Sequence, residues 1–211
     1  MDIAALRTEY SLKSLDVKML DKSPIKQFES WLDDAIKTNV NEPNAMNLAT
    51  VSKNHRPSSR IVLLKGIDHG FVFYTNYDSK KGQELNHFPF AAITFFWPEL
   101  QRQVRIEGKI EKVAPSLSDQ YFLSRPMGSQ IGAWASPQSQ IIPDRAFLEK
   151  KEAEMIEKFK LEEIQRPAHW GGFRLVPDLV EFWQGRTSRL HDRIQYQLKD
   201  ENTWTTNRLA P

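Results

Sequence analysis

The chain has 211 residues, 40% hydrophobic and 11% aromatic, enough to bury one good core and form one domain rather than two. Lys and Arg number 29 against 27 Asp and Glu, so the net charge of +2 supplies no field for gathering polyanions, and any anion site must be local. Cysteine is absent, which excludes disulfides, thiolate catalysis and thiolate metal ligation; with no leader-like apolar run at the start and no stretch near the ~18 residues of a spanning helix, a cytoplasmic protein outside the membrane is expected.

Residues 1–22 mix charge and apolar side chains without punctuation and read as an arm that orders against something else, leaving 23–211 as the single domain. Ser23-Pro24 then opens a helix, with Ser as cap, Pro in the first turn, and Ile25, Phe28, Leu32 and Ile36 as an apolar stripe. From Ala45, β-branched and aromatic runs (AMNLATVS, SSRIVLLKGI, FVFYTN) alternate with the turn signals HRP and DHG and predict a meander. A short helix over 79–87 closes at Pro89, and FAAITFFW and QVRIEGKIEKV supply further strands. Helices are expected over 115–124 and 144–160, divided by a loop-like segment at 125–143 rich in Pro, Gly, Ser and Gln. FRLV, LVEFWQ, RIQYQL and TWTTNRL end the chain, separated by PD, GRTS and KDEN. Roughly eight strands at hairpin spacing predict a mainly β fold, an antiparallel barrel with peripheral helices, because a parallel α/β sheet would alternate its strands and helices.

No glycine-rich nucleotide loop, nucleophile elbow or zinc-protease motif is present, so a nucleotide would need another kind of cradle and no metal site is expected. Four polar constellations stand out. RIVLLK brackets four aliphatic residues with Arg60 and Lys65, and reads either as a buried strand with solvated ends or as a strand edge holding a flat, phosphorylated ligand. Thr75, Ser79, Lys80 and Lys81 combine hydroxyls, ammonium groups and a helix start, a reasonable phosphate cradle, although a Lys pair beside a turn is by itself usually solvated surface. Tyr121, Arg125, Ser129, Gln138 and Ser139 share one polar connection that fits a second phosphate or a capped connector. In RLHDR, an extended backbone would put Arg189, His191 and Arg193 on one face, a costly grouping unless solvent or an anionic ligand meets it.

RIVLLK, FYTN with SKK, RQV, SRPMGSQIGAW with QS, FWQG with RLHDR, and the ending NRLAP together resemble the pyridoxine/pyridoxamine-phosphate oxidases, in order and spacing, from LRTEY at Leu6 to Pro211. The resemblance implies a split-barrel homodimer with FMN at each end of the subunit interface. It also implies oxidation of pyridoxamine or pyridoxine 5'-phosphate to pyridoxal 5'-phosphate, with dioxygen as acceptor, hydrogen peroxide as product, and ammonia from the amine. Matched residue by residue, the flavin set is Arg60, Ile61, Val62, Leu63, Leu64, Lys65, Tyr74, Thr75, Ser79, Lys80, Lys81, Gln103, Gln138, Ser139, Trp183 and Arg193. The vitamer set is Lys65, Tyr121, Arg125 and Ser129 at the phosphate, Arg189 and His191 at the reacting carbon as the catalytic pair, and Arg7 and Tyr10 from the arm, acting as a lid. Lys80 stands where many relatives have Arg, and Glu42 where some have Asp. The nearest alternative is a split-barrel flavin reductase or flavin-binding protein with another substrate. A single-stranded nucleic-acid binder is disfavoured by the near-neutral charge.

Overall fold

Helix α1, Pro24–Lys37, begins as its cap signals predict: the Ser23 side chain accepts the Lys26 N–H and Pro24 occupies the first turn. Its buried face is Pro24, Gln27, Phe28, Trp31 and Ala35, whereas Ile36 of the expected stripe stands 55% exposed. The larger aromatic surface of Trp31 decides the rotation, since burying it removes more apolar area from water than burying Ile36 would. Phe28 reaches Phe71 at 4.9 Å and Phe95 at 4.8 Å between ring centroids, and Trp31 meets Phe182 edge-on at 5.1 Å. α1 thereby plugs the main core.

The computed structural model describes residues 2–5, 9–200 and 203–211. Among these, nine strands form one antiparallel sheet: β1 Ala45–Val51, β2 Pro57–Leu63, β3 Gly66–Ile67, β4 Phe71–Asn76, β5 Phe90–Trp97, β6 Arg102–Lys112, β7 Trp170–Gln184, β8 Asp192–Asp200 and β9 Thr203–Leu209. The path runs β2-β1-β5-β6-β7-β4-β3, with β8 on β7 and β9 on β8. The antiparallel barrel-type fold is thus as expected. Two details differ from the sequence reading. SSRIVLLKGI divides into β2 and the two-residue β3, and the PD pair expected to turn the chain lies inside β7.

β7 holds one edge against β6 over residues 173–184 but splits the other, pairing β4 through residues 170–175 and β8 through 179–184. Pro177 falls where the partner changes and where the β6 register shifts at Glu107/Gly108. A residue without an N–H is tolerated there because neither neighbour on the split edge requires its donor.

Helix α2 is Lys80–His87, capped by Ser79, and α3 is Pro115–Ser124. The segment 125–143, expected as a loop, contains helix α4, Met127–Ala135, before α5, Arg145–Lys158. Local composition hid α4, which is held by tertiary burial of Gln130, Ile131 and Ala135. Ile131 joins Phe122, Ile164 and Trp170 in a second, smaller core that fastens the helices over the first residue of β7. No helix among the described residues is long and apolar enough to cross a membrane.

The β3–β4 turn is tied to β6 and β7 by charge. The buried Arg174 pairs with both oxygens of Asp68 and places Nη1 2.7 Å from Glu111 Oε1, while His69 Nε2 lies 3.3 Å from the same oxygen. Burial alone would raise the Asp68 carboxyl, but the Arg174 hydrogen bonds and charge and the Gly70 N–H outweigh it and hold Asp68 below its ordinary value. The Arg174 hydrogen bond does the same for Glu111. Both carboxylates are ionised more easily folded than unfolded, so their contribution is complete above the unfolded carboxylate range near ~4 and is lost as pH falls through the lower folded values. Arg174→Met should therefore cost on the order of 1–3 kcal/mol at neutral pH, below the range for fully buried pairs because both carboxylates are nearly half exposed. Urea unfolding at pH 7 and pH 3 should show that deficit shrinking in acid; a deficit independent of pH would mean that packing, not charge, carries it.

Candidate active site

One cleft of about 640 Å³ lies between β2, β4, the start of β7 and helices α3 and α4. Its lining includes Ile61, Val62, Leu63, Lys65, Tyr74, Thr75, Lys81, Tyr121, Arg125, Ser129 and Gln138, all singled out in the sequence. β2, which supplies Ile61, Val62 and Leu63 to the lining, ends the sheet path, so its outer edge has no strand partner among the described residues.

At one side, α2 carries Lys81 inward. Its ammonium lies 3.2 Å from Thr75 Oγ1, 3.3 Å from Gln138 Oε1 and 3.5 Å from Ser79 Oγ, all neutral oxygens. Burial and, secondarily, the Arg60 charge lower its pKa. At the other side, Arg125 ends α3. Burial lowers its pKa too, and its Nη1 is buried without a hydrogen-bond partner. Among the described residues neither cation has a carboxylate partner. Between them Tyr121, Tyr74 and Trp170 form a nearly parallel stack, with Tyr74 4.0 Å from Tyr121 and 5.5 Å from Trp170. Trp170 was not singled out in the sequence, because a lone Trp before GGF carries no polar signal.

Other matched residues lie outside this lining. Leu64 turns into the core at 5% exposure, and Lys80 is exposed on the outer side of α2. Ser79 is fully buried as the α2 cap, its Oγ donating to Asn76 O at 2.7 Å. Ser139 sits in the following turn at φ 72, and Glu42 in the turn before β1 at φ 45. Arg60 is anchored by the buried Glu84 of α2: Glu84 Oε2 accepts from Ser58 at 2.7 Å, from Thr50, and from Arg60 at 3.3 Å. Glu84 is another residue that the motif reading passed over.

A second cluster occupies the opposite end of β7. Gln103 and Arg193 flank Trp183 in register on β6 and β8. Trp183 lies 4.6 Å from the His191 ring, and Tyr10 packs edge-on against both at 5.8 and 6.0 Å. His191 Nδ1 accepts the Arg186 N–H at 3.1 Å, which leaves the proton of the neutral ring on Nε2. Burial, then the Arg189 charge, lowers the His191 pKa. The expected common face of Arg189, His191 and Arg193 does not form. Thr187–Arg189 is a 3-10 turn with φ 55 at Ser188 and φ 60 at Arg189, and β8 begins only at Asp192. Arg193 is instead gripped by the buried Glu181, Nε to Oε1 at 2.9 Å and Nη2 to Oε2 at 3.0 Å.

Tyr10 to Leu15 of the arm lie along this end. Ser11 and Leu12 N–H groups donate to Gln101 Oε1, Leu15 N–H donates to Asp192 Oδ2 at 3.0 Å, and Arg208 Nη2 donates to Leu15 O at 3.1 Å. Gly185 admits Tyr10: a Cβ there would fall 2.7 Å from Tyr10 Cγ. Arg7 lies outside the described residues.

A curled antiparallel half-barrel, with helices capping a cationic, aromatic cleft, defines a split-barrel protein. Residues 32–159 match the family described as pyridoxamine 5'-phosphate oxidase, and residues 170–211 match the pyridoxine 5'-phosphate oxidase C-terminal dimerisation region. The chain is 54% identical to the pyridoxine/pyridoxamine 5'-phosphate oxidase of Neisseria meningitidis, covering 100% of both chains, and 54% identical to that of Paraburkholderia phytofirmans, covering 99% of both. Its fold is similar to that of PhzG from Burkholderia lata 383, solved in complex with tetrahydrophenazine-1-carboxylic acid, with TM-score 0.89 and 31% identity over 97% of this chain and 100% of that one. A pyridoxamine 5'-phosphate oxidase-related, FMN binding protein from Nostoc punctiforme shares the fold at TM-score 0.72 and 18% identity, over 91% of this chain and 100% of that one. The chain belongs to the pyridoxine/pyridoxamine 5'-phosphate oxidase family and is an oxidoreductase.

Proposed function

We propose that the chain oxidises pyridoxamine 5'-phosphate and pyridoxine 5'-phosphate to pyridoxal 5'-phosphate with bound FMN. The carrying observation is the pair of cations, Lys81 and Arg125, that line one cleft and have no carboxylate partner among the described residues. Two such charges need anions, and a phosphorylated cofactor beside a phosphorylated substrate supplies both. The residues present fit FMN. Lys81, Thr75 and Gln138 form a cradle of donors at one end, and the open β2 edge at Ile61–Leu63 suits the polar rim of a flat ring system. Arg60, Leu64, Lys65, Tyr74, Ser79 and Ser139 complete that half of the cofactor set, with Lys65 also serving the vitamer, whereas Lys80, matched by motif but exposed on α2, contributes little to it.

FMN would supply the electron acceptor that the amino acids lack, and dioxygen would take the electrons on as hydrogen peroxide. The chain's own residues bind and orient. Arg125, with Tyr121, Ser129 and Lys65, holds the vitamer phosphate, and this remote binding energy fixes the reacting carbon in place. Arg189 and His191 meet the reacting end, where neutral His191 presents Nε2–H as a donor. With the amine, an imine product takes up water and releases ammonia.

The two clusters occupy opposite ends of β7, 13 positions and roughly 40 Å of strand contour apart at ~3.3 Å per residue. The reading therefore joins the cleft of one subunit to Gln103, Trp183, Arg189, His191 and Arg193 of a second copy in a homodimer, consistent with the match to a dimerisation region. Residues 1–22, with Arg7 and Tyr10, would act as the lid of that shared site.

Purified protein should be yellow and dimeric, and should form aldehyde and peroxide in equal amounts from either phosphorylated vitamer. A flavin-bearing protein that yields neither product belongs to the other split-barrel activities, and a fully active monomer would refute the shared site.

A further inference from the structure

Arg125 is held in an unusual way for a half-buried guanidinium. Its central carbon stands 4.7 Å from the Trp170 ring centroid and 5.8 Å from that of Phe122. Trp170 is itself closely packed: it is 6% exposed, stacks on Tyr74 at an interplanar angle of 10°, and its carbonyl accepts from Arg166 Nη1 at 2.6 Å. Gln130 Nε2 fixes the Arg125 carbonyl at 2.7 Å. A guanidinium is usually immobilised by a carboxylate, which also neutralises it and competes with an incoming anion. An aromatic face orients the same plane through its quadrupole without supplying a counter-charge.

We propose that Trp170 is a positioning residue for phosphate recognition, its ring holding Arg125 oriented while leaving the whole positive charge to the substrate. This deepens the proposed function and rests on its assignment of Arg125 to the vitamer phosphate. Trp170 acts through Arg125, so removing the ring should weaken phosphorylated ligands selectively.

The test uses FMN-loaded protein carrying Trp170→Leu, Trp170→Phe, Arg125→Ala and the Leu and Ala changes combined. Calorimetry gives the affinity for pyridoxal 5'-phosphate, pyridoxal and inorganic phosphate, and steady-state assays give KM and kcat for pyridoxine 5'-phosphate. Trp170→Leu should weaken phosphate and pyridoxal 5'-phosphate binding about 2- to 30-fold, the span of a cation–π contact. KM should rise by a similar factor, with kcat and pyridoxal affinity unchanged. Trp170→Phe should lose less, and in the Arg125→Ala background Trp170→Leu should add nothing. Equal weakening of pyridoxal and its phosphate, or parental phosphate affinity in the Leu variant, would overturn the proposal while leaving the Arg125 assignment intact. Parental phosphate affinity in Arg125→Ala would instead sink that assignment. Should Trp170→Leu fail to fold, Trp170→Phe decides, because parental phosphate affinity in that variant also overturns the role.

Discussion

Arg189→Ala and His191→Ala should each slow anaerobic single-turnover oxidation of saturating pyridoxine 5'-phosphate by on the order of a hundredfold, the effect of displacing a reacting group by ~1 Å. The geometry around both residues is specific enough to be lost by truncation. His191 is sandwiched against Trp183 and locked in one neutral tautomer by the Arg186 N–H. Burial and then the Arg189 charge lower its pKa, which favours the neutral ring that offers a hydrogen bond rather than a charge. In the proposed reading Arg189 would supply the charge, and it stands in a turn in which it and Ser188 both have positive φ. Such conformations cost about 1–3 kcal/mol each in residues other than glycine, and here they redirect the chain just before β8. The rate is read from loss of visible absorbance, which separates the chemical step from binding and from oxygen. Parental rates in both variants would remove these residues from the chemistry and leave them a structural role.

Lys81→Met should weaken FMN binding about 10- to 150-fold, the worth of a hydrogen bond to a charged group at ~1.5–3 kcal/mol, whereas Lys80→Met should change it by less than about threefold. The two lysines are neighbours in sequence and equal in charge. They differ in direction: Lys81 is partly buried and aimed at Thr75 and Gln138, and Lys80 is exposed on the far side of the helix start. An exposed charge is screened by water and salt, while one in a cleft without a carboxylate is not. Titration of apoprotein with FMN, followed by quenching of flavin fluorescence, measures both. A larger loss in the Lys80 variant would mean that the cradle lies on the outer side of α2.

Local chemistry made much of this molecule legible in its sequence. Ser23-Pro24 and Ser79 begin helices because a hydroxyl beside free N–H groups acts within one turn, and the β-branched and aromatic runs from Ala45 onward, cut by turn residues, mark strands because those preferences belong to each residue and its neighbours. The motif resemblance likewise reached the family, and several of the residues it matched line one cleft. Tertiary structure alone decided the rest. Whether Pro177 ends a strand or sits within one depends on β6 and on the change of partner from β4 to β8. The 125–143 segment becomes helical where burial, not propensity, favours it. Three supports escaped the motif reading: Glu84 beneath Arg60, Glu181 around Arg193, and Trp170 against Arg125. Two of these pairs join residues 24 and 45 positions apart, and the third joins adjacent strands, so each contact is created by register and docking. The division of the matched residues between opposite ends of β7 has the same origin. A linear order of motifs carries no distance in space, and only the folded sheet separates Lys81 and Arg125 from Arg189 and His191.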